Sequence, residues 1–173
     1  TVINSCAVTA EAEKKVAYEI RKAKRINPQN KIIVTGCAAQ INPKKYHTLK
    51  EVDLVLGNKE KLLSDVWSDL NFSKPIQVDD ILLEKKTVPS TIEKFDGKSR
   101  AYIEIQQGCD HRCTFCIIPY GRGNNRSVPA GEIVERIKKI VNNGYKEVVL
   151  TGVDITDYGK DLPAQPTFSN LIK

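Results

Sequence analysis

The sequence predicts an α/β protein: a parallel, doubly wound sheet in its first part, followed by a separate βαβ unit. Two observations predict it. Short β-branched runs alternate with helical stretches three times before residue 71, and the alternation restarts at Ala101. Strand–helix alternation of this kind buries a parallel sheet under its crossover helices.

Thr1–Asn4 is the first predicted strand. Thr9 stands where a helix N-cap belongs, with Glu11 and Glu13 in the first turn and Ala12, Val16, Ile20 and Ala23 on one face. Arg21, Lys22, Lys24 and Arg25 crowd the other end, and Asn27-Pro28 stops the helix. Lys31–Thr35 reads as the second strand, breaking at Gly36-Cys37, and a second helix is expected over Ile41–Lys50. Asp53–Leu56 reads as the third strand, and Asn58 as the cap of a third helix through Leu70. Right-handed crossovers would bring the strand ends, and with them Cys6 and Cys37, to one edge.

Periodicity fades over 71–100, where Pro75, Pro89 and Gly97 interrupt and Lys85, Lys86 and Lys94 are scattered. This reads as a linker with one short strand near Ile81–Leu83, or as a hairpin packed on the first domain. The expected division is therefore 1–70, a linker over 71–100, and 101–173. Ala101–Ile105 alternates as a strand, and a long loop from Gly108 to Val128 holds three cysteines. Pro129 opens a helix to about Asn142, with Ile133, Ile137, Ile140 and Val141 apolar. Gly144 stops it, and Glu147–Thr151 is the next strand. The cysteine loop thus leaves the C-terminal end of a strand, where βα barrels keep their chemistry.

Composition narrows the class. The 173 residues are 40% hydrophobic and 28% charged, with a net charge of +6. That surplus permits an anionic partner such as RNA. No apolar run reaches the ~20 residues of a membrane span, and no signal-peptide pattern opens the chain. Five cysteines, three of them within eight residues, are an odd and crowded set. A secreted disulfide framework favours an even, spread one, so the reading is a reducing, cytoplasmic compartment with metal-binding thiols. Methionine is absent. Thr1 is then no ordinary initiator, and a fragment, a split reading frame or an unusual start codon is expected.

Cys109, Cys113 and Cys116 are spaced by three and then two residues. Thiolates are strong ligands for cluster iron. Three of them on a four-iron cubane leave one iron open to chelate the amino and carboxylate groups of S-adenosylmethionine, whose one-electron cleavage yields a deoxyadenosyl radical. A structural zinc site closed by His111 and a redox pair of Cys113 and Cys116 are the alternatives. Phe115 is expected to pack over the cluster.

Gln106-Gln-Gly-Cys109, Cys113-Thr-Phe-Cys-Ile-Ile-Pro-Tyr-Gly-Arg-Gly123 and Arg126-Ser127 resemble the radical S-adenosylmethionine methylthiotransferases. Asn4-Ser-Cys6-Ala-Val-Thr-Ala-Glu-Ala-Glu-Lys14 and Thr35-Gly-Cys37-Ala-Ala-Gln40 are similar to that family's N-terminal domain. The resemblance implies a flavodoxin-like first domain with an auxiliary [4Fe-4S] cluster on Cys6, Cys37 and a third cysteine upstream of Thr1. It implies a partial βα barrel, cut short after its first βαβ unit, with a second [4Fe-4S] cluster on Cys109, Cys113 and Cys116. Burial as small apolar residues is the other reading of Cys6 and Cys37.

By the same resemblance, Thr151, Gly152 and Asp154 meet S-adenosylmethionine, although Asp154 also suits a turn cap and Gly152 the turn itself. Arg122 and Arg126 face RNA phosphate or the cofactor, or simply solvent. The implied partners are tRNA and an electron donor such as a flavodoxin or ferredoxin; oligomeric state is not legible. Cys6-Ala-Val-Thr9 and Gly36-Cys37-Ala-Ala-Gln40 look most like the branch that adds a methylthio group to C2 of threonylcarbamoyladenosine beside the anticodon. Branches acting on isopentenyladenosine tRNA or a ribosomal protein, a cluster-binding remnant without activity, and a zinc-binding RNA adaptor are the competing expectations.

Overall fold

A computed structural model describes residues 1–87 and 99–173. Pro89, Lys94 and Gly97 of the expected linker lie outside the described residues. The chain forms two compact units: Thr1–Glu84 with His111–Gly123, and Lys85–Asp110 with Asn124–Lys173.

The first unit opens with β1 (Val2–Ser5) and α1 (Ala10–Ile26). The Thr9 hydroxyl accepts from the Ala12 amide at 3.1 Å, the cap expected from the sequence. It is followed by β2 (Ile33–Gly36), α2 (Cys37–Ile41), α3 (Pro43–His47) and β3 (Leu54–Leu56). The four strands, closed by β4 (Ile76–Gln77), are parallel and lie in the order β1-β2-β3-β4. That is sequence order, so no reversal of strand order falls within the described strands. Val16 and Ile20 of α1 meet Val34 and Val55 of the sheet together with Ala38, Ala39 and Tyr46. Full burial of a side chain such as Ile20 contributes about 1.5–3 kcal/mol. Ile33, Leu54 and Leu56 point to the other face, where Val66, Leu70 and Phe72 cover them.

Asp53 joins three of these elements. Its carboxylate accepts from the Ile32 amide at 2.9 Å and pairs with Lys31 at 2.8 Å and with Lys24 of α1 at 3.4 Å. Burial alone would push this carboxyl up, but the lysines and the amide outweigh it and hold it below the usual range.

Three expectations are corrected here. The helix expected over Ile41–Lys50 is broken into α2 and α3, because Pro43 cannot donate and Asn42 caps the second piece through the Lys45 amide. The third helix is reduced to a 3-10 turn, Glu60–Leu62, and the short α4 (Ser64–Ser68). Ile81–Leu83, expected as a strand, is a 3-10 turn capped by Asp80, and the strand of this stretch is β4. Residues 71–84, which include β4, pack within the first compact unit.

The second unit is a mixed sheet. β5 (Arg100–Gln107) pairs in parallel with β7 (Glu147–Gly152) and antiparallel with β6 (Arg126–Ser127), a strand with no signal in the sequence. Between β6 and β7 runs α6 (Ala130–Asn142), which buries Ile133 and Ile140 but leaves Val141 exposed. Gly144 ends it at φ +91°. Among the described residues, no helix is long and apolar enough to cross a membrane.

Glu60 is buried with one oxygen accepting from the Asp79 amide at 3.2 Å and the other without a hydrogen-bond partner among the described residues. Burial pushes its carboxyl above the ordinary value of 4.5. The folded state therefore holds this proton more tightly than the unfolded chain. Its contribution is full below about pH 4.5 and is lost as pH rises through the folded value. Glu60→Gln is expected to melt at a higher temperature than the parent at pH 8, with the gap closing towards pH 4. Circular-dichroism melts across this range check it, and a gap that persists at pH 4 contradicts the assignment.

Candidate functional site

In the first unit, parallel register sets the ends of β1 and β2 side by side, with Ser5 opposite Gly36. Cys6 and Cys37 are the next residues along each strand. Gly36 has φ +96°, and a Cβ there would lie 2.2 Å from the Ser5 carbonyl oxygen, so only glycine lets the strands approach this closely. The Ser5 hydroxyl donates to the Thr35 carbonyl at 2.6 Å and accepts from the Ala39 amide at 3.0 Å, which fastens α2 to the strand end.

Cys6 is exposed and Cys37 half-buried. Two side chains donate to the Cys37 sulfur: Arg122 through Nε at 3.0 Å and Asn58 through Nδ2 at 3.6 Å. Asn58 Nδ2 also reaches the Gly121 carbonyl at 2.6 Å. Asn58 is thus no helix cap. Its backbone amide donates to Gln40 Oε1 at 2.8 Å and its side chain holds α5 (Ile118–Arg122) against Cys37. Arg122 turns to a sulfur and Arg126 is 5% exposed, so of the readings RNA phosphate, cofactor or solvent, the last does not hold for Arg126.

Cys113 and Cys116 are joined by a turn in which the Cys116 amide donates to the Cys113 carbonyl at 2.9 Å. Cys113 is exposed and Cys116 half-buried. Phe115, expected to pack over a bound cluster, is 91% exposed.

In the second unit, β5 and β7 deliver the remaining residues at their C-terminal ends. Gly108, at φ +74°, turns the chain into Cys109, and Gly152 leads into Asp154. Cys109 Sγ lies 3.9 Å from Asp154 Oδ2. The Asp154 carboxylate also accepts from Thr156 Oγ1. Thr151 Oγ1 is directed back to the Ile103 carbonyl at 3.4 Å. Gln106, which carried no role in the sequence beyond its place in a motif, is fully buried here. It accepts from the Asp154 amide at 2.8 Å and donates to the Gly108 carbonyl at 2.7 Å and to Asn125 Oδ1 at 2.6 Å. A long amide in a strand whose neighbours Ile103 and Ile105 are core was the available signal.

Thiols at strand and turn ends, two exposed and three half-buried, with two hydrogen-bond donors on the Cys37 sulfur, fit the soft ligand set of an iron–sulfur cluster. Residues 1–57 match Uncharacterized protein family UPF0004, and residues 103–164 match the Radical SAM superfamily. The chain is 56% identical over 172 residues to a threonylcarbamoyladenosine tRNA methylthiotransferase of Rickettsia prowazekii, covering 99% of this chain and 40% of that protein. Over nearly its whole length the chain is similar to radical S-adenosylmethionine methylthiotransferases. A relative of the same name from Aquifex aeolicus is 43% identical over 92% of the chain and 40% of its own length. A tRNA-2-methylthio-N(6)-dimethylallyladenosine synthase of Desulfotalea psychrophila is 34% identical over 99% of the chain and 42% of its length. The chain spans about two-fifths of the curated relatives it matches.

A Cβ at Gly121 would stand 2.9 Å from Cys37 Cβ. Gly121→Ala is therefore expected to lower unfolding free energy by about 1–3 kcal/mol through overpacking. Denaturant melts check it; an unchanged midpoint would show that α5 does not press on Cys37.

Proposed function

We propose that this chain is part of a tRNA methylthiotransferase that adds a methylthio group to C2 of threonylcarbamoyladenosine beside the anticodon. The observation that carries the reading is 56% identity over 99% of the chain to a protein named for that reaction, across both family matches. Residues 1–70 would form the auxiliary-cluster domain and 101–173 the start of the radical S-adenosylmethionine core, with 71–100 between them.

Cys109, Cys113 and Cys116 would bind one [4Fe-4S] cluster, and Cys6 and Cys37 would supply two ligands of another. When bound, the first cluster and S-adenosylmethionine would supply one-electron cleavage of a carbon–sulfur bond. The chain's own residues would do the positioning. The Cys113–Cys116 turn presents two thiols from one short loop, and Asp154, 3.9 Å from Cys109, would accept a hydrogen bond from a bound amine. Gly152 leaves room for the Gln106 side chain, which a Cβ there would meet at 2.9 Å. Arg122 and Asn58 would donate to a metal-bound Cys37 sulfur, the kind of contact that tunes a cluster. The substrate would be tRNA, consistent with the net charge of +6, and the electron would come from a flavodoxin or ferredoxin.

Anaerobic reconstitution tests the cofactor part. Iron and sulfide are expected to bind, with an electron spin resonance signal that changes when S-adenosylmethionine is added. Cys109→Ala, Cys113→Ala and Cys116→Ala should each remove that response. Zinc in place of iron would favour an RNA adaptor. Disruption of the gene in its source organism tests the substrate: mass spectrometry of tRNA nucleosides should show loss of methylthio-threonylcarbamoyladenosine. Its retention, with loss of the methylthio group on isopentenyladenosine, would reassign the branch.

A further inference from the structure

The second unit contains a buried polar assembly centred on a residue to which the reading above gives no role. Gln106 is at the end of β5, with no exposed surface. Its Oε1 accepts from the Asp154 amide, and its Nε2 donates to the Gly108 carbonyl, so one side chain spans from the residue before Cys109 to the loop after β7. Asn125 continues the assembly. Its Oδ1 accepts from Gln106, its amide donates to Asp110 Oδ1 at 2.9 Å, and its Nδ2 donates to the Asp157 carbonyl at 3.0 Å. A Cβ at Gly152 would meet Gln106 Oε1 at 2.9 Å, so the glycine makes room for this side chain.

We propose that Gln106 is a positioning residue for the S-adenosylmethionine site: it fixes the Gly152–Asp154 loop against the Cys109 turn and so sets the orientation of the Asp154 carboxylate. The inference rests on the proposed cofactor role of Asp154 and Cys109. The β5–β7 ladder is irregular between Glu104 and Gln106. Regular sheet hydrogen bonding therefore does not by itself fix the spacing of the two strand ends, and the buried amide makes up the difference. A buried amide that loses its partners also leaves unpaired polar groups behind, which makes the loop position sensitive to this one side chain.

The test compares Gln106→Leu and Gln106→Glu with the parent chain, all reconstituted with iron and sulfide. The leucine keeps the bulk and loses every hydrogen bond; the glutamate keeps an acceptor for the Asp154 amide. In Gln106→Leu, iron and sulfide content should match the parent, while the concentration of S-adenosylmethionine that half-completes the spin-resonance change rises about tenfold, the scale of a lost buried hydrogen bond. Gln106→Glu should fall between the two. Equal midpoints in all three proteins overturn the inference, as does a leucine variant that responds better than the glutamate one, since that order marks packing alone. If Gln106→Leu does not fold, Gln106→Glu and Asn125→Ala carry the comparison, and parent-like midpoints in both overturn it. Should the parent itself give no response to S-adenosylmethionine, the proposed cofactor role fails instead. Hydrogen exchange of the Asp154 amide then decides the positioning alone: faster exchange in Gln106→Leu supports it, and an unchanged rate overturns it.

Discussion

Parallel pairing is the constraint from which the candidate sites follow. A strand that pairs in parallel with an earlier one must return by a crossover, so both C-terminal ends open on the same edge. In the first unit this brings the residues after Ser5 and Gly36 together from positions 31 residues apart in sequence. In the second it brings the loop after Gln107 beside the loop after Gly152. Apart from Cys37, the first residue of α2, the thiols and the carboxylate are loop residues, but the strands decide which of these segments are neighbours. A one-residue slip in either ladder would turn the buried faces outward, and the apolar contacts of Val34, Val55, Ala101 and Ile103 resist it.

Each unit also uses a buried glutamine to tie loops at its strand ends. Gln40 accepts from the Asn58 amide and donates to the Asp79 carbonyl at 2.8 Å. Gln106 accepts from the Asp154 amide and donates to the Gly108 carbonyl. An amide side chain suits this task because it carries a donor and an acceptor at one tip and no charge to desolvate. Loop backbone groups that no ladder can pair are thereby satisfied inside the protein.

The strongly patterned elements were legible in the sequence. α1 shows its cap, its acidic first turn and its apolar stripe, and α6 its proline start and glycine stop, because each signal is local. The broken helices around Asn42 and Leu63 were not, since the residues there are reasonable helix formers. Pro43 was the missed warning. β6 and β4 were invisible because two residues carry no period, and their pairing is decided by partners far away in sequence. At the candidate site, the cysteine spacing could be picked out by chemistry, and Asp154 by the family resemblance. The roles of Asn58, Gly121 and Gln106 could not, because each depends on what tertiary folding brings alongside: a sulfur, a Cβ or a strand-end amide.

The path of the backbone between the units has a practical consequence. The chain leaves the first unit after Glu84, returns to it at His111 and leaves again after Gly123. Cys109 is therefore counted with one unit and Cys113 and Cys116 with the other, although they are neighbours in sequence. A cut at the apparent boundary would release a first unit without α5, the Arg122 donor and the Gly121 contact on Cys37. Dissection of this protein by truncation or limited proteolysis would thus damage both halves at once, and a soluble N-terminal piece would not be a faithful sample of the first unit.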